Sequence, residues 1–389
     1  MKKIILTALA LGLAQPVFAK CGGDWSSFVN GLKKEAVDRG ASKSEANKFF
    51  ANVTRDKKVI SLDRSQSVFR QNFSQFAGRV VSQNRMQVGA SKWKQYRSAF
   101  DTAESVYGIP APVLLAFWAM ETDFGANQGG FNTLNALVTL SHDCRRPELF
   151  RPQIFAALEL WKLGTFDPVN SKGAWAGEIG MVQMLPEDVL TKGVDGDGDG
   201  RVDLVRSAPD AILTAAAVLQ SHGWERGRPW MIEVTVPKKM DWSETGLGKP
   251  QFLSDWETVG LKAREGNLPV ARWKASLLLP EGRKGPAFLV FDNFDVYFDW
   301  NKSLVNVTSA AYFATRLGGA SRFNAGSPDA PLSGDQMVAL QKKLKARGHD
   351  VGKVDGILGA KTRAAVQAEQ VRLKLPADAW PTLELLNKI

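Results

Sequence analysis

Apolar residues recur at helical spacing through most of the first three hundred positions of this chain. The segments 25–39, 43–50, 92–107, 110–120, 151–163 and 209–222 read as helices, because apolar positions recur three and four apart in them, or fill the run altogether in 110–120. Between 231 and 300 the period changes. Short runs at 232–236, 276–279 and 288–291 read as strands, broken at Pro280-Glu281-Gly282 and Arg283-Lys284-Gly285, residue types that turn a chain. A stretch rich in Gly, Ser and Pro at 318–331 reads as a linker. Beyond it, 335–348 carries Met337, Leu340 and Leu344 on one face and stops at Gly348, and a further helix begins near Thr362. The pattern predicts a mainly α chain with a small β insert at about 231–300, and a separate helical unit over 332–389.

The extreme N-terminus follows another rule. Lys2 and Lys3 precede an apolar run from Ile4 to Leu13, with small residues before position 20, which reads as a secretory signal peptide over 1–19. No later run approaches the roughly 18 apolar residues that a spanning helix needs, so no transmembrane segment is expected. Lys20 stands where bacterial lipidation of Cys21 requires a small residue. The chain has two cysteines, Cys21 and Cys144, and export to an oxidising compartment leads us to expect that they pair. The net charge of +10 falls to +8 once Lys2 and Lys3 leave with the leader. A basic exported protein suits an anionic wall polymer. Nucleic acid is not expected as a partner, since there is no dense Lys/Arg cluster interleaved with aromatics. Zinc is not expected either, because His142, His222 and His349 are scattered.

Two short stretches carry candidate chemistry. Pro112 to Met120 is an apolar run that delivers Glu121 to a loop rich in Gly, Asn and Gln. A carboxylate among Leu, Phe, Trp and Met loses solvation when ionised, so its pKa is expected to rise towards neutrality and leave a proton donor. The alternative is a glutamate at a helix end that points into solvent. Farther on, Asp195, Asp197 and Asp199 alternate with glycines up to Gly200, as in a calcium loop in which Arg201 would offer its backbone carbonyl. Position twelve of that loop is Arg206 and not a bidentate glutamate, which leaves a metal-free Asp/Gly turn as the alternative.

Leu340-Gln341, Gly348 and Val354-Asp-Gly-Ile-Leu-Gly-Ala-Lys-Thr-Arg-Ala-Ala-Val366 resemble the three-helix peptidoglycan-binding domain of wall enzymes. The likeness departs at Ala377-Asp-Ala-Trp380, where that family has an Asp-Gly turn. Upstream, three stretches resemble the B-type membrane-bound lytic transglycosylases of glycoside hydrolase family 103 in order, spacing and content. They are Ala116-Phe-Trp-Ala-Met-Glu-Thr-Asp-Phe-Gly125, Gly173-Ala-Trp-Ala-Gly-Glu-Ile-Gly-Met-Val-Gln-Met-Leu-Pro186, and Val194 to Leu204 running on to Gly223-Trp224.

This resemblance implies a lysozyme-like catalytic domain over 20–317. It implies cleavage of the MurNAc–GlcNAc bond of peptidoglycan by one glutamic acid, acting first as acid and then as base, with the C6 hydroxyl closing a 1,6-anhydro ring. Glu121 aligns with that acid, Gln183 with a substrate-contacting glutamine, Asn301 with an asparagine near the acid, and Asp210 with the aspartate that closes the calcium loop. Trp175 is open to stacking on a sugar or to packing. Gly177 and Gly180 would let the backbone approach a sugar. The chain departs at Ala174, where a serine hydroxyl is common beside the acid, at Trp300 and Asn306, where tyrosines are usual, and at Glu178-Ile179, which replaces a neutral pair. Three functions therefore stand: a periplasmic lytic transglycosylase, a muramidase pairing Glu121 with Glu178 or Asp123 to activate water, and a non-catalytic wall-binding scaffold. In each the expected partner is the peptidoglycan glycan strand and the expected state a monomer.

Overall fold

The computed structural model describes residues 21–64 and 71–389, so the segment expected as a leader lies outside the described residues. At the centre is the helix Ala111–Thr122. Its first ten residues are buried except Met120, because a helix apolar all round is stable only inside a core. It packs against Leu304–Leu317, Gln83–Gln95 and Ala208–Ser221. Pro112 opens it, where a missing N–H costs nothing.

The helix expected over 92–107 is in fact three segments. Gln83–Gln95 ends at Tyr96, whose backbone leaves the helical region, Arg97–Thr102 restarts, and Ala103–Tyr107 widens to π geometry before Gly108. Thermodynamically it is the packing of Ala99, Phe100 and Ala103 into the core, more than a continuous period, that holds this stretch.

The insert is a five-stranded antiparallel sheet in the order Gln251–Phe252, Lys274–Leu278, Phe288–Val290, Met231–Thr235, Lys262–Ala263. Successive side chains of a strand point to opposite faces. Leu278, Phe288 and Val290 accordingly enter the main helical core, whereas Ala275, Leu277 and Leu289 enter a second core with Trp242, Trp256 and Phe291. Burial on both faces explains why these strands read as continuous apolar runs. Strand structure ends at Val290, and Asp292–Trp300 is a helix with Phe294, Tyr297 and Phe298 at helical spacing.

The segment 320–333 has no regular structure. The helices Gly334–Ala346, Ala360–Arg372 and Leu383–Lys388 then close a small third core around Leu340, Leu344, Val366 and Leu385. This unit rests on the insert through polar contacts. Gln367 gives its side-chain amide to the carbonyls of Trp242 and Thr245, Arg363 donates to the carbonyls of Leu279 and Pro280, and Arg283 pairs with Asp378 at 3.0 Å.

Candidate active site

The central helix ends abruptly. Asp123 and Phe124 take positive φ of 53° and 59°, and Gly125 follows at 89°, a conformation that ordinarily costs a non-glycine residue energy. Two contacts hold it: Arg85 Nε lies 3.0 Å from Asp123 Oδ1, and Thr122 Oγ1 accepts from the Gly125 N–H at 2.8 Å while donating to the Met181 carbonyl. Glu121 is thereby fixed in the last helical turn, facing the 173–186 loop.

That loop folds on itself through bridges joining Gly173 to Ile179 and Ile179 to Met184. It joins the acidic loop through the Met181 N–H, which donates to the Leu204 carbonyl at 2.8 Å. Its glycines serve protein packing. A Cβ on Gly177 would lie 2.3 Å from Leu137, and one on Gly180 would lie 2.5 Å from Leu204. The room that the sequence suggested for a sugar at these two positions is filled by the protein itself.

Glu121 is partly buried. Its Oε1 accepts the Trp300 indole N–H at 2.8 Å, and Oε2 has no protein partner among the described residues. Burial raises its pKa, the Trp300 hydrogen bond opposes that rise, and the charge of Glu178 adds to it, leaving the acid pushed up to about 7. Such a group is divided between its protonated and deprotonated forms near neutral pH, poised to give a proton and to take one back.

Glu178, in the 173–186 loop, is partly buried. Its pKa is also raised by burial, opposed by the N–H groups of its own residue and Ala176 and by the charge of Arg146. Its Oε2 is buried with no hydrogen-bond partner. Asp123, the other candidate second carboxylate, is held by Arg85. Ala174 uses its N–H for the Glu178 carbonyl at 2.9 Å and has no hydroxyl to offer Glu121.

The other expected residues fall as follows. Gln183, at φ 51°, donates its amide to the carbonyls of Gln128 and Gly180, 3.2 and 2.7 Å away, so the glutamine ties the loop after Glu121 to the 173–186 loop. Asn301 follows Trp300 directly and accepts the Ser303 N–H at 2.9 Å. Trp175 is partly buried against the main core. Asp195, Asp197 and Asp210 bring carboxylate oxygens within 4.8 Å of one another. Asp199 lies outside that trio and accepts the Arg201 N–H at 2.9 Å. Arg206 is bound to Asp203 at 2.8 Å. Cys21 and Cys144 are joined by a disulfide, stapling the first described residue to the end of the helix Thr133–His142. Trp300 and Glu178 stood out in the sequence only as unexpected residue types, since nothing in the spacing places a residue 179 positions away against Glu121.

A family model described as the transglycosylase SLT domain matches residues 24–315, and one described as a putative peptidoglycan binding domain matches residues 333–389. SltB3 from Pseudomonas aeruginosa, solved in complex with NAG-anhNAM-pentapeptide, is 34% identical. It superposes with a TM-score of 0.86 over 94% of this chain and 99% of that one. Membrane-bound lytic murein transglycosylase B of Escherichia coli (strain K12) is 33% identical over 150 residues, 38% of this chain and 41% of that protein, so the match spans less than half the length of this curated relative. The Escherichia coli lytic transglycosylase Slt35, solved in complex with calcium, shares the fold at 24% identity and a TM-score of 0.65, over 79% of this chain and 98% of that one.

Proposed function

The chain belongs to the transglycosylase SLT domain family, and from that premise we propose that it is a lytic transglycosylase cleaving the MurNAc–GlcNAc bond of peptidoglycan in the periplasm. The observation that carries this reading is Glu121, an acid lifted to about 7 with one oxygen held by Trp300 and the other unpartnered. Protonated Glu121 gives its hydrogen to the glycosidic oxygen as the bond to the anomeric carbon breaks. The resulting carboxylate then takes the proton of the muramic C6 hydroxyl as that oxygen bonds to the anomeric carbon, which leaves a 1,6-anhydro end. The nucleophile is tethered to the sugar, so no second carboxylate and no water are needed.

Gln183 would orient substrate beside the acid, since its amide nitrogen is already committed to two carbonyls and its carbonyl oxygen remains to accept an acetamido N–H. Asn301, next to Trp300, would contribute its amide nitrogen in the same region, and Trp175 a packing face. The C-terminal unit would hold the monomeric enzyme on the wall.

Calcium fits the acidic loop. Asp195, Asp197 and Asp210 supply hard oxygen donors, and the charge of Arg206 is taken up by Asp203. A bound ion would be structural, bracing the loop that Met181 joins to the site through Leu204.

The muramidase alternative needs a carboxylate that can reach a water in the cleft. Glu178 has one oxygen sealed from solvent, and Asp123 is spent on Arg85; both observations favour the lytic reaction. The test is digestion of purified peptidoglycan by the mature protein and by Glu121→Gln, with products analysed by mass spectrometry. Anhydro-muropeptides from the first and none from the second are expected. Reducing-end products would establish the hydrolase instead, and absence of release by either protein would remove both enzymatic readings.

A further inference from the structure

Trp300 closes the helix Asp292–Trp300 and meets the Glu121 helix twice. Its ring lies 4.4 Å from that of Phe117, which stacks at 4.8 Å on Tyr297, one turn before Trp300. Its Nε1 reaches Glu121 Oε1, one turn beyond Phe117, at 2.8 Å. Asn301 then takes the chain out of the helix through its bond to the Ser303 N–H. The indole is thus clamped by aromatic packing on one side and by the helix end on the other, with its only polar atom aimed at the carboxyl.

An indole N–H is a donor and never an acceptor. A hydroxyl in the same place could donate to a carboxylate and accept from a carboxylic acid, so the acid could carry its hydrogen on either oxygen. Beside an indole it cannot. Oε1 must accept in both protonation states, and a hydrogen placed there would confront the indole N–H. Ala174 provides no hydroxyl that could relax this constraint.

We infer that Trp300 is a positioning residue that selects Glu121 Oε2 as the one oxygen through which the catalytic proton leaves and returns. The inference rests on the reading of Glu121 as acid and base. In the first step the Oε2–H bond breaks, the proton goes to the glycosidic oxygen, and that oxygen keeps the electron pair of the broken C–O bond. In the second the C6 oxygen bonds to the anomeric carbon and its proton returns to Oε2. Through both steps the indole N–H stays on Oε1, so the carboxyl need not rotate between acting as acid and acting as base. The charge that acts on Glu121 is that of Glu178, itself offset by Arg146, while Asp123, two residues along the chain, is paired with Arg85.

The experiment compares Trp300→Phe, Trp300→Tyr and the enzyme carrying benzothienylalanine at position 300, an indole isostere without the N–H. Each is assayed on peptidoglycan with kcat, KM and pH profile resolved. Loss of the donor should lower kcat about tenfold while KM stays within about twofold. It should also move the basic limb of the profile to higher pH, since a donated hydrogen bond favours the carboxylate. The hydroxyl of Trp300→Tyr should restore part of kcat. Wild-type kcat and an unmoved basic limb in the isostere, with Glu121→Gln inactive, would overturn this inference alone and make Trp300 a packing residue. Full activity in Glu121→Gln would overturn the functional reading and this inference together.

Discussion

Glu178 brings a second carboxyl close enough to Glu121 for its negative charge to add to burial in lifting that acid to about 7. The pair is asymmetric. Glu121 keeps an oxygen with no partner among the described residues and an indole donor on the other, whereas Glu178 has its Oε2 buried and unpaired.

Removing that charge while keeping the shape should make Glu121 easier to ionise. Glu178→Gln is expected to shift the basic limb of the pH–rate profile to lower pH, the reverse of the Trp300→Phe shift, and to lower activity above neutrality. A pH profile of peptidoglycan cleavage checks it, and a limb that does not move would show that Glu178 is neutral when Glu121 works.

Glu121 itself should weaken the fold at alkaline pH. Its folded pKa is raised, so the stability linked to the neutral acid is complete below about pH 4.5 and is lost as pH rises through about 7. Glu121→Gln removes that loss. Thermal unfolding should show the variant more stable than the wild type above pH 8, by on the order of 2–3 kcal/mol, with the difference vanishing near pH 4.

Asp210 is buried and accepts the N–H groups of Gly196 and Asp203 at 2.9 and 2.7 Å. Asp210→Ala should therefore destabilise the protein by about 2–3 kcal/mol even without metal. If the trio holds calcium, the wild type should be more stable in excess calcium than in chelator, by about 2.7 kcal/mol at a hundredfold excess over Kd, and should melt at a correspondingly higher temperature. Asp210→Asn should lose that response.

Ala379 sits at φ 59°, a left-handed conformation that favours glycine. The turn is held by the Gln370 side chain, which accepts the Ala379 N–H at 2.9 Å and donates to the Trp380 carbonyl at 3.0 Å. Ala379→Gly removes the Cβ that makes this conformation costly and should stabilise the domain by about 1 kcal/mol in chemical denaturation.

Much of the fold was legible because burial imposes period. The apolar face of 209–222 and the all-round apolar run before Glu121 each predicted a helix within a residue or two of Ala208–Ser221 and Ala111–Thr122. The short helices Lys57–Arg64 and Phe73–Val80 gave too few turns to establish a period. The break at Tyr96 was hidden for another reason: the apolar positions on either side stay in phase with a single helix.

By itself, the sequence singled out Glu121 as the candidate acid, through the apolar run before it and the family resemblance around it. A long apolar run that ends in one carboxylate is a local signal, legible without the fold. The sequence also predicted the mainly helical class, the strands of a small insert and, by resemblance, the C-terminal three-helix unit. What tertiary structure alone decided is what surrounds the acid. Trp300 comes from a helix beyond the sheet and Glu178 from a loop folded on its own glycines, and each reaches Glu121 through packing between distant segments. A hydrogen bond or a Coulomb interaction acts over a few ångströms of space and takes no account of separation along the chain.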